Sequence, residues 1–300
     1  MKKFIAIFGV LALTAGMVFS QNNEATVNQV GNNHEAEVLQ TGFKNDADVQ
    51  QTANGGDYAE VTQLGDENKA FVNQNGAAGT HHAEVDQDGD RNLATIDRQG
   101  MWGSGLGQAF ITQIGDDNEA FQNMHANKAS LASIYQDGND NYAYQNMAAA
   151  FDGGGTGHTA YVIQDGDENY AYQHQRGKGH YAFIEQDGYD NYAWMRQDNG
   201  GIDVYNNWAR IDQEGDQNWA AVDQDGNTNT FDLKQEGNEN KVFGLDEFEV
   251  FKQVGDGNIA NTMLQQGNNN KVFGGQFGDD NMMNVSQIGN GNKATVIQNQ

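Results

Sequence analysis

The sequence predicts an all-β fold: a β-solenoid of stacked strand-turn-strand rungs, with two facing parallel sheets in a cross-β-like arrangement. Three observations lead there. A Gln, Gly, Asn and Ala motif recurs about every eleven residues from Gln29 to Gln298, as in QLGDENKAF (63–71), QDGDENYAY (164–172) and QIGNGNKAT (287–295). Apolar and polar residues alternate with period two before each motif. Proline, which would delete a ladder hydrogen bond in any strand flanked on both sides, is absent from the 300 residues.

Composition sets the bounds. With 38 Gly and 37% hydrophobic residues spread evenly along the chain, the sequence is an array of one small unit and offers no second domain. The absence of cysteine excludes disulfide staples and thiolate metal sites. The formal net charge is −26, which excludes nucleic acid as a partner, because phosphate binding requires clustered Lys and Arg.

The elements follow in chain order. Residues 1–20 read as a secretory signal: Lys2 and Lys3 precede an apolar run from Phe4 to Phe19, and Val18 and Ser20 occupy the small-residue positions before Gln21. That run is too short for a spanning helix, no later segment is apolar for long enough, and removal of its two lysines takes the net charge to −28. Residues 21–300 are then the solenoid. Its strands carry Ala, Val or Ile, and Gln on one face, as in Ala25, Val27, Gln29; Ala36, Val38, Gln40; Ala83, Val85, Gln87; Ala160, Val162, Gln164; and Ala209, Ile211, Gln213. Each turn opens on a glycine: Gly31, Gly65, Gly89, Gly115, Gly138, Gly166, Gly188, Gly215, Gly255, Gly278 and Gly289. It closes on Asn, and Gly and Asn are the residues expected to take positive φ.

Spacing separates two kinds of connection. Units with the full Gln-x-Gly-x-x-Asn turn stay short, whereas others are stretched, by residues 100–107, 147–158 and 199–207. Tight turns therefore line one edge of the stack and variable loops the other. About twelve rungs of about 23 residues, stacked at about 4.8 Å, give a body about 55–60 Å long.

The pattern Gln-x-Gly-x-x-Asn-x-Ala, followed by a second Gln after three more residues, resembles the curlin repeat of bacterial curli subunits. Seventeen Gln-x-Gly matches carry the resemblance over nearly all of residues 21–300. It implies a β-solenoid subunit, secreted through a dedicated outer-membrane pore, that polymerises with a nucleating subunit into functional amyloid fibres of the biofilm matrix. The family's inward amides correspond to Gln63, Asn68 and Gln74; to Gln164, Asn169 and Gln175; and to Gln287, Asn292 and Gln298. The chain is longer and more acidic than a typical curli subunit, and its first repeat starts at Ala25 without a Gly-rich leader.

In-register stacking gives these amides a physical role, since Gln and Asn side chains one rung apart can bond up and down the stack, while Ala lets two sheets approach closely. The expected ladder comprises Gln29, Gln40, Gln63, Gln74, Gln87, Gln113, Gln136, Gln164, Gln186, Gln213, Gln224, Gln253, Gln276, Gln287 and Gln298. Its Asn members are Asn68, Asn92, Asn118, Asn141, Asn169, Asn191, Asn218, Asn258, Asn281 and Asn292. End rungs lack a partner and expose a strand edge. The opening segment 25–33 carries no charge and the last repeats few, whereas the central turns are rich in Asp, which act as gatekeepers against sideways aggregation.

Turns such as DGDRN (88–92), DGNDN (137–141), DGDEN (165–169) and DGYDN (187–191) suggest calcium loops only loosely, and solvated turn aspartates are the expectation. Tyr142, Tyr170, Tyr192 and Trp219, with Tyr144, Tyr172 and Trp194, lie on the outer face by strand parity and should stack across rungs. His34 and His180 replace a turn Asn, and His81 and His82 are expected in a solvated loop. No nucleophile elbow, metal-ligand spacing or distinctive acid-base pair appears, so neither an enzyme nor a cofactor is expected. The reading is a secreted, cell-surface fibre subunit whose partner is itself, joined head-to-tail. The alternative is a non-polymerising repeat adhesin or calcium-stiffened binding module.

Overall fold

A computed structural model describes residues 22–53, 55–76, 80–100, 107–125, 130–149, 157–198, 205–246 and 249–300. The signal segment 1–20 and most of the three stretched connections therefore lie outside the described residues. Within them the chain forms strands β1 to β24 and no helix. Apart from β19 (Lys241–Phe243) and β20 (Phe251–Val254), successive strands alternate between two sheets, and every strand pairing is parallel, between neighbouring levels of one sheet. One sheet has eleven strands and runs from β2 (Glu35–Thr41) to β23 (Met282–Ile288). The other has thirteen and starts at β1 (Glu24–Gly31); β19 and β20 share one level of it, so it has twelve levels and ends on β24 (Lys293–Asn299). At about 4.8 Å per level the stack is about 55 Å long.

Register follows the residue pattern. Ala59, Val61 and Gln63 lie over Ala83, Val85 and Gln87, and the same match repeats along both sheets. Shifting a strand by one residue would turn this whole set outward, which is why alternation fixes register so firmly. The inward Ala and Val or Ile side chains form one continuous core between the sheets, closed at nearly every interior level. Ala at the first inward position keeps the layer thin.

All connections from the eleven-stranded sheet back to its partner are tight turns opening on Gly and closing on Asn, from residues 42–45 to 289–292. Connections in the other direction vary in length, so the stretched ones do share one edge. That edge changes near the end of the stack: residues 226–229, 255–258 and 278–281 are again Gly-x-x-Asn, so there both edges are tight. Gly31, Gly255, Gly278, Asn258 and Asn281 accordingly sit on the edge opposite the other expected turn residues.

Turn chemistry differs from expectation at one position. The opening glycines do have positive φ, +122° at Gly138 and +112° at Gly166, and a Cβ on Gly138 would overlap the carbonyl oxygen of Gly166 one turn on. The second left-handed residue is the one before Asn, not Asn itself: Glu67, Arg91, Asp117, Asp140, Glu168 and Asp190 have φ between 55° and 61°. Asn has a different task, described below.

One level departs from the small-residue core. Phe231 takes an Ala position and packs on Phe251 at 5.4 Å between ring centres. Room comes from Gly274, the next residue over Phe251 in the same sheet, whose absent Cβ would sit 3.6 Å from that ring. Bulk added in one rung is thus removed from the next, as close packing requires.

Candidate functional site: amide ladders and open end rungs

The eleven-stranded sheet carries an unbroken column of glutamines. Gln40, Gln63, Gln87, Gln113, Gln136, Gln164, Gln186, Gln213, Gln235, Gln265 and Gln287 each donate from Nε2 to Oε1 of the next, at 2.7–3.0 Å. The second Nε2 hydrogen goes to a strand carbonyl across the core, Tyr142 O in the case of Gln164. Each interior amide is buried and satisfied, which removes the penalty of several kcal/mol that an isolated buried amide incurs.

In the twelve-level sheet the column is interrupted. Gln29, Gln51 and Gln74 bond in series, as do Gln175, Gln197, Gln224, Gln253, Gln276 and Gln298. Between them the position holds Arg98, Met124 and Met147. On the Met124 and Met147 strands the amide stands two residues earlier, and Gln122, Gln145 and Gln173, the last on the same strand as Gln175, form their own short column at 3.0–3.1 Å. Each change of lane leaves a buried oxygen without a partner among the described residues, on Gln122 and on Gln175.

The tight edge carries a third column, of asparagines. Oδ1 of each accepts the backbone N–H of the Asn one turn on, from Asn23 and Asn45 through Asn68, Asn92, Asn118, Asn141, Asn169, Asn191, Asn218, Asn240 and Asn270 to Asn292, at 2.9–3.1 Å. Along most of it Nδ2 also donates to the next turn's Gly carbonyl, such as Gly166 O from Asn141 at 2.6 Å. The turn carboxylates are tied in as well: Asp90 Oδ1 accepts from Asp66 N and Asp116 Oδ1 from Asp90 N. They are partly exposed but not merely solvated, and among the described residues no group of three or more His, Asp or Glu is placed to hold a metal ion.

On the variable edge the same position is filled by His34, Asp57, His81, Gly107, Ser130, His158, His180, Asn207, Asn229, Asn258 and Asn281. From Ser130 onward this position supplies an acceptor for the next rung's N–H: Oγ of Ser130 for His158 N at 3.2 Å, Nδ1 of His158 for His180 N at 3.3 Å, Nδ1 of His180 for Asn207 N at 3.2 Å, then Oδ1 of Asn207 and Asn229 at 2.9 Å. Nε2 of His158 and His180 lies 3.2 and 3.0 Å from the carbonyls of Ala148 and Arg176, which fixes the neutral Nε2–H tautomer. Burial lowers the pKa to about 4 at His158 and about 3 at His180. His81 is not in a solvated loop; it is 4% exposed and opens β6 (His81–Asp88), while His82 points outward. At Gly107 the missing side chain makes room for the buried Arg98 guanidinium, whose pKa burial lowers to about 10 against the opposing pull of Asp57.

The ends of the stack are open. Among the described residues, β1 and β2 have a strand neighbour on one side only, as do β23 and β24. Val27, Val30 and Leu39 at one end, and Met282, Ile288 and Ile297 at the other, are 42–69% exposed. The ladders also have direction. Because every Gln donates toward the C-terminal end, Gln29 and Gln40 present an unused Oε1 at the first rung, and Gln287 and Gln298 an unused Nε2–H at the last. Asn292 presents Oδ1 there too.

Comparison with known families fits this geometry. The family model of the curlin associated repeat matches residues 21–52, 206–242 and 261–289. Those three segments are similar to the curlin associated repeat. No curated protein matches the chain. No helix among the described residues is long and apolar enough to cross a membrane.

Sequence reasoning missed several ladder members: Gln51, Gln122, Gln145, Gln173, Gln197, Gln235 and Gln265. Gln235 and Gln265 stand in Gln-x-Gly motifs; Gln51 and Gln197 lack the following Gly but share strand parity with the inward Ala, which would have found them.

Proposed function

We propose that the chain is a secreted structural subunit that polymerises head-to-tail into curli-like amyloid fibres, serving cell adhesion, aggregation and biofilm matrix. One observation carries the reading: a row of amide acceptors at one end of the stack and of amide donors at the other. Gln298 of one subunit can donate to Gln29 of the next along the twelve-level sheet, while the backbone edges of β24 and β1 pair. A head-to-head contact would oppose like groups. The curlin repeat adds support, since that family is structural and associated with extracellular curli. On this reading residues 1–20 are the export signal, residues 21–300 one solenoid, and the partners outside the fibre are an outer-membrane pore and a nucleating subunit. The ladder residues hold the rungs together and extend across each joint, and the Asp-rich turns discourage lateral contact.

Deletion of residues 276–300 tests it. That change removes β23, β24 and part of β22 (Lys271–Phe277), and with them the terminal donors Gln287 and Gln298 and the exposed Met282, Ile288 and Ile297. Loss or strong slowing of fibre formation, followed by amyloid dye fluorescence and electron microscopy, is expected; unaltered kinetics would refute the end-to-end mechanism. A wild-type chain that stays monomeric but gains thermal stability with calcium would favour the binding-module alternative instead.

A further inference from the structure

The outer face of the twelve-level sheet carries two parallel columns of rings. Tyr142, Tyr170 and Tyr192 stack at 4.9 Å between centres with planes 4–6° apart, and Trp219 continues them at 5.7 Å. Two residues along the same strands, Tyr144 stacks on Tyr172 at 5.1 Å and 7°, and Trp194 follows at 6.0 Å. In-register parallel pairing forces each phenol directly over its equivalent. The rings are part-exposed on the outer face, so stacked phenols are both close together and within reach of a dissolved oxidant. The separation is near that of the two rings in a biphenyl, and rotation about χ2, a soft torsion, turns stacked rings edge to edge.

We propose that these columns are a site of oxidative modification, at which dityrosine forms between adjacent rungs: Tyr142 with Tyr170, Tyr170 with Tyr192, and Tyr144 with Tyr172. The oxidant is hydrogen peroxide acting through a haem peroxidase. Each phenol gives up one electron and its hydroxyl proton; the two phenoxyl radicals join through their ortho carbons; and the hydrogens on those carbons return to the oxygens as the rings regain aromaticity. Peroxide takes up two electrons and two protons and leaves as two waters, so each link removes two hydrogens from the chain. Burial raises the pKa of Tyr142, Tyr170, Tyr172 and Tyr192, so these phenols enter the reaction protonated. The staple would bind successive rungs of one subunit covalently. It depends on the fold alone and holds equally for a monomer, so it stands or falls separately from fibre growth.

The test treats dilute, folded monomer of residues 21–300 with peroxidase and hydrogen peroxide, then digests it and maps links by mass spectrometry. Intrachain links at the three stacked pairs are expected, with a yield on the order of tenfold above that of the chain unfolded in guanidinium chloride, because stacking replaces a chance encounter. Tyr170→Phe, which keeps the ring stack, should abolish the first two links and leave the Tyr144 to Tyr172 link. The tilted pair Tyr161 and Tyr181, 6.2 Å apart, should react less. Links confined to the exposed Tyr189 and Tyr205, links only between chains, or equal patterns in folded and unfolded protein would overturn the proposal.

Discussion

His158 and His180 show how a single side chain can keep a column intact while adding a liability. Neutral imidazole offers Nδ1 to the next rung as Asn offers Oδ1, but a proton there removes the acceptor and places a charge in a buried corner. Both rings have folded pKa values below the ordinary 6.5, and the stacked pair sits 5.2 Å apart. The unfolded chain therefore binds more protons than the folded one as pH falls below about 6.5, and stability declines by about 1.4 kcal/mol per pH unit per histidine until the folded pKa is reached. Around them lie His174, Arg176, Arg196 and Asp198, which form ion pairs at the same edge. Asp86, Asp212, Asp223 and Asp225 act in the opposite sense, because burial raises their folded pKa and favours the folded state in acid. Comparing the variant His158→Asn with His180→Asn against wild type isolates the histidines. The wild type should lose stability between pH 7.5 and 5 in urea titrations, and the double variant much less. Equal losses would mean that the rings are not held neutral.

At the scale of the strand, alternation made the inward set legible: Ala59, Val61 and Gln63 could be assigned from period two alone, because one buried face leaves no other register. The lane change at Gln122, Gln145 and Gln173 was not legible by counting from Gly-x-x-Asn, since Met124 and Met147 fill the usual amide position with similar volume and no local signal. The left-handed φ of Glu67 was equally hidden, because a glutamate carries no local preference for that region. His81 was misplaced since its loop is long, yet pairing in β6 begins at that residue. The lane change also yields a prediction. Met147→Gln alone should alter stability little, as it only moves the orphan oxygen one turn. Met124→Gln with Met147→Gln should raise the unfolding free energy in urea titrations by about 1–2 kcal/mol, because the column would then run from Gln175 down to the unpartnered N–H groups of Arg98. A destabilised double variant would show that packing of the methionines outweighs the amide bonds.

For the whole molecule, the ladders give the stack a direction and the charge sets how readily two stacks meet. Residues 21–300 carry a net charge of −28, so subunits repel at low ionic strength and approach more easily as salt screens them. Joining ends would cover exposed Val30, Ile288 and Ile297 and satisfy the donor of Gln298, which no rearrangement within one chain achieves as directly. The most direct test is to incubate purified residues 21–300 and follow filament growth by electron microscopy and fibre diffraction, at about 10 mM and about 300 mM salt. Filaments with a reflection near 4.8 Å along their axis, appearing after a lag and faster at high salt, are predicted. A chain that remains a folded monomer under both conditions would contradict the account.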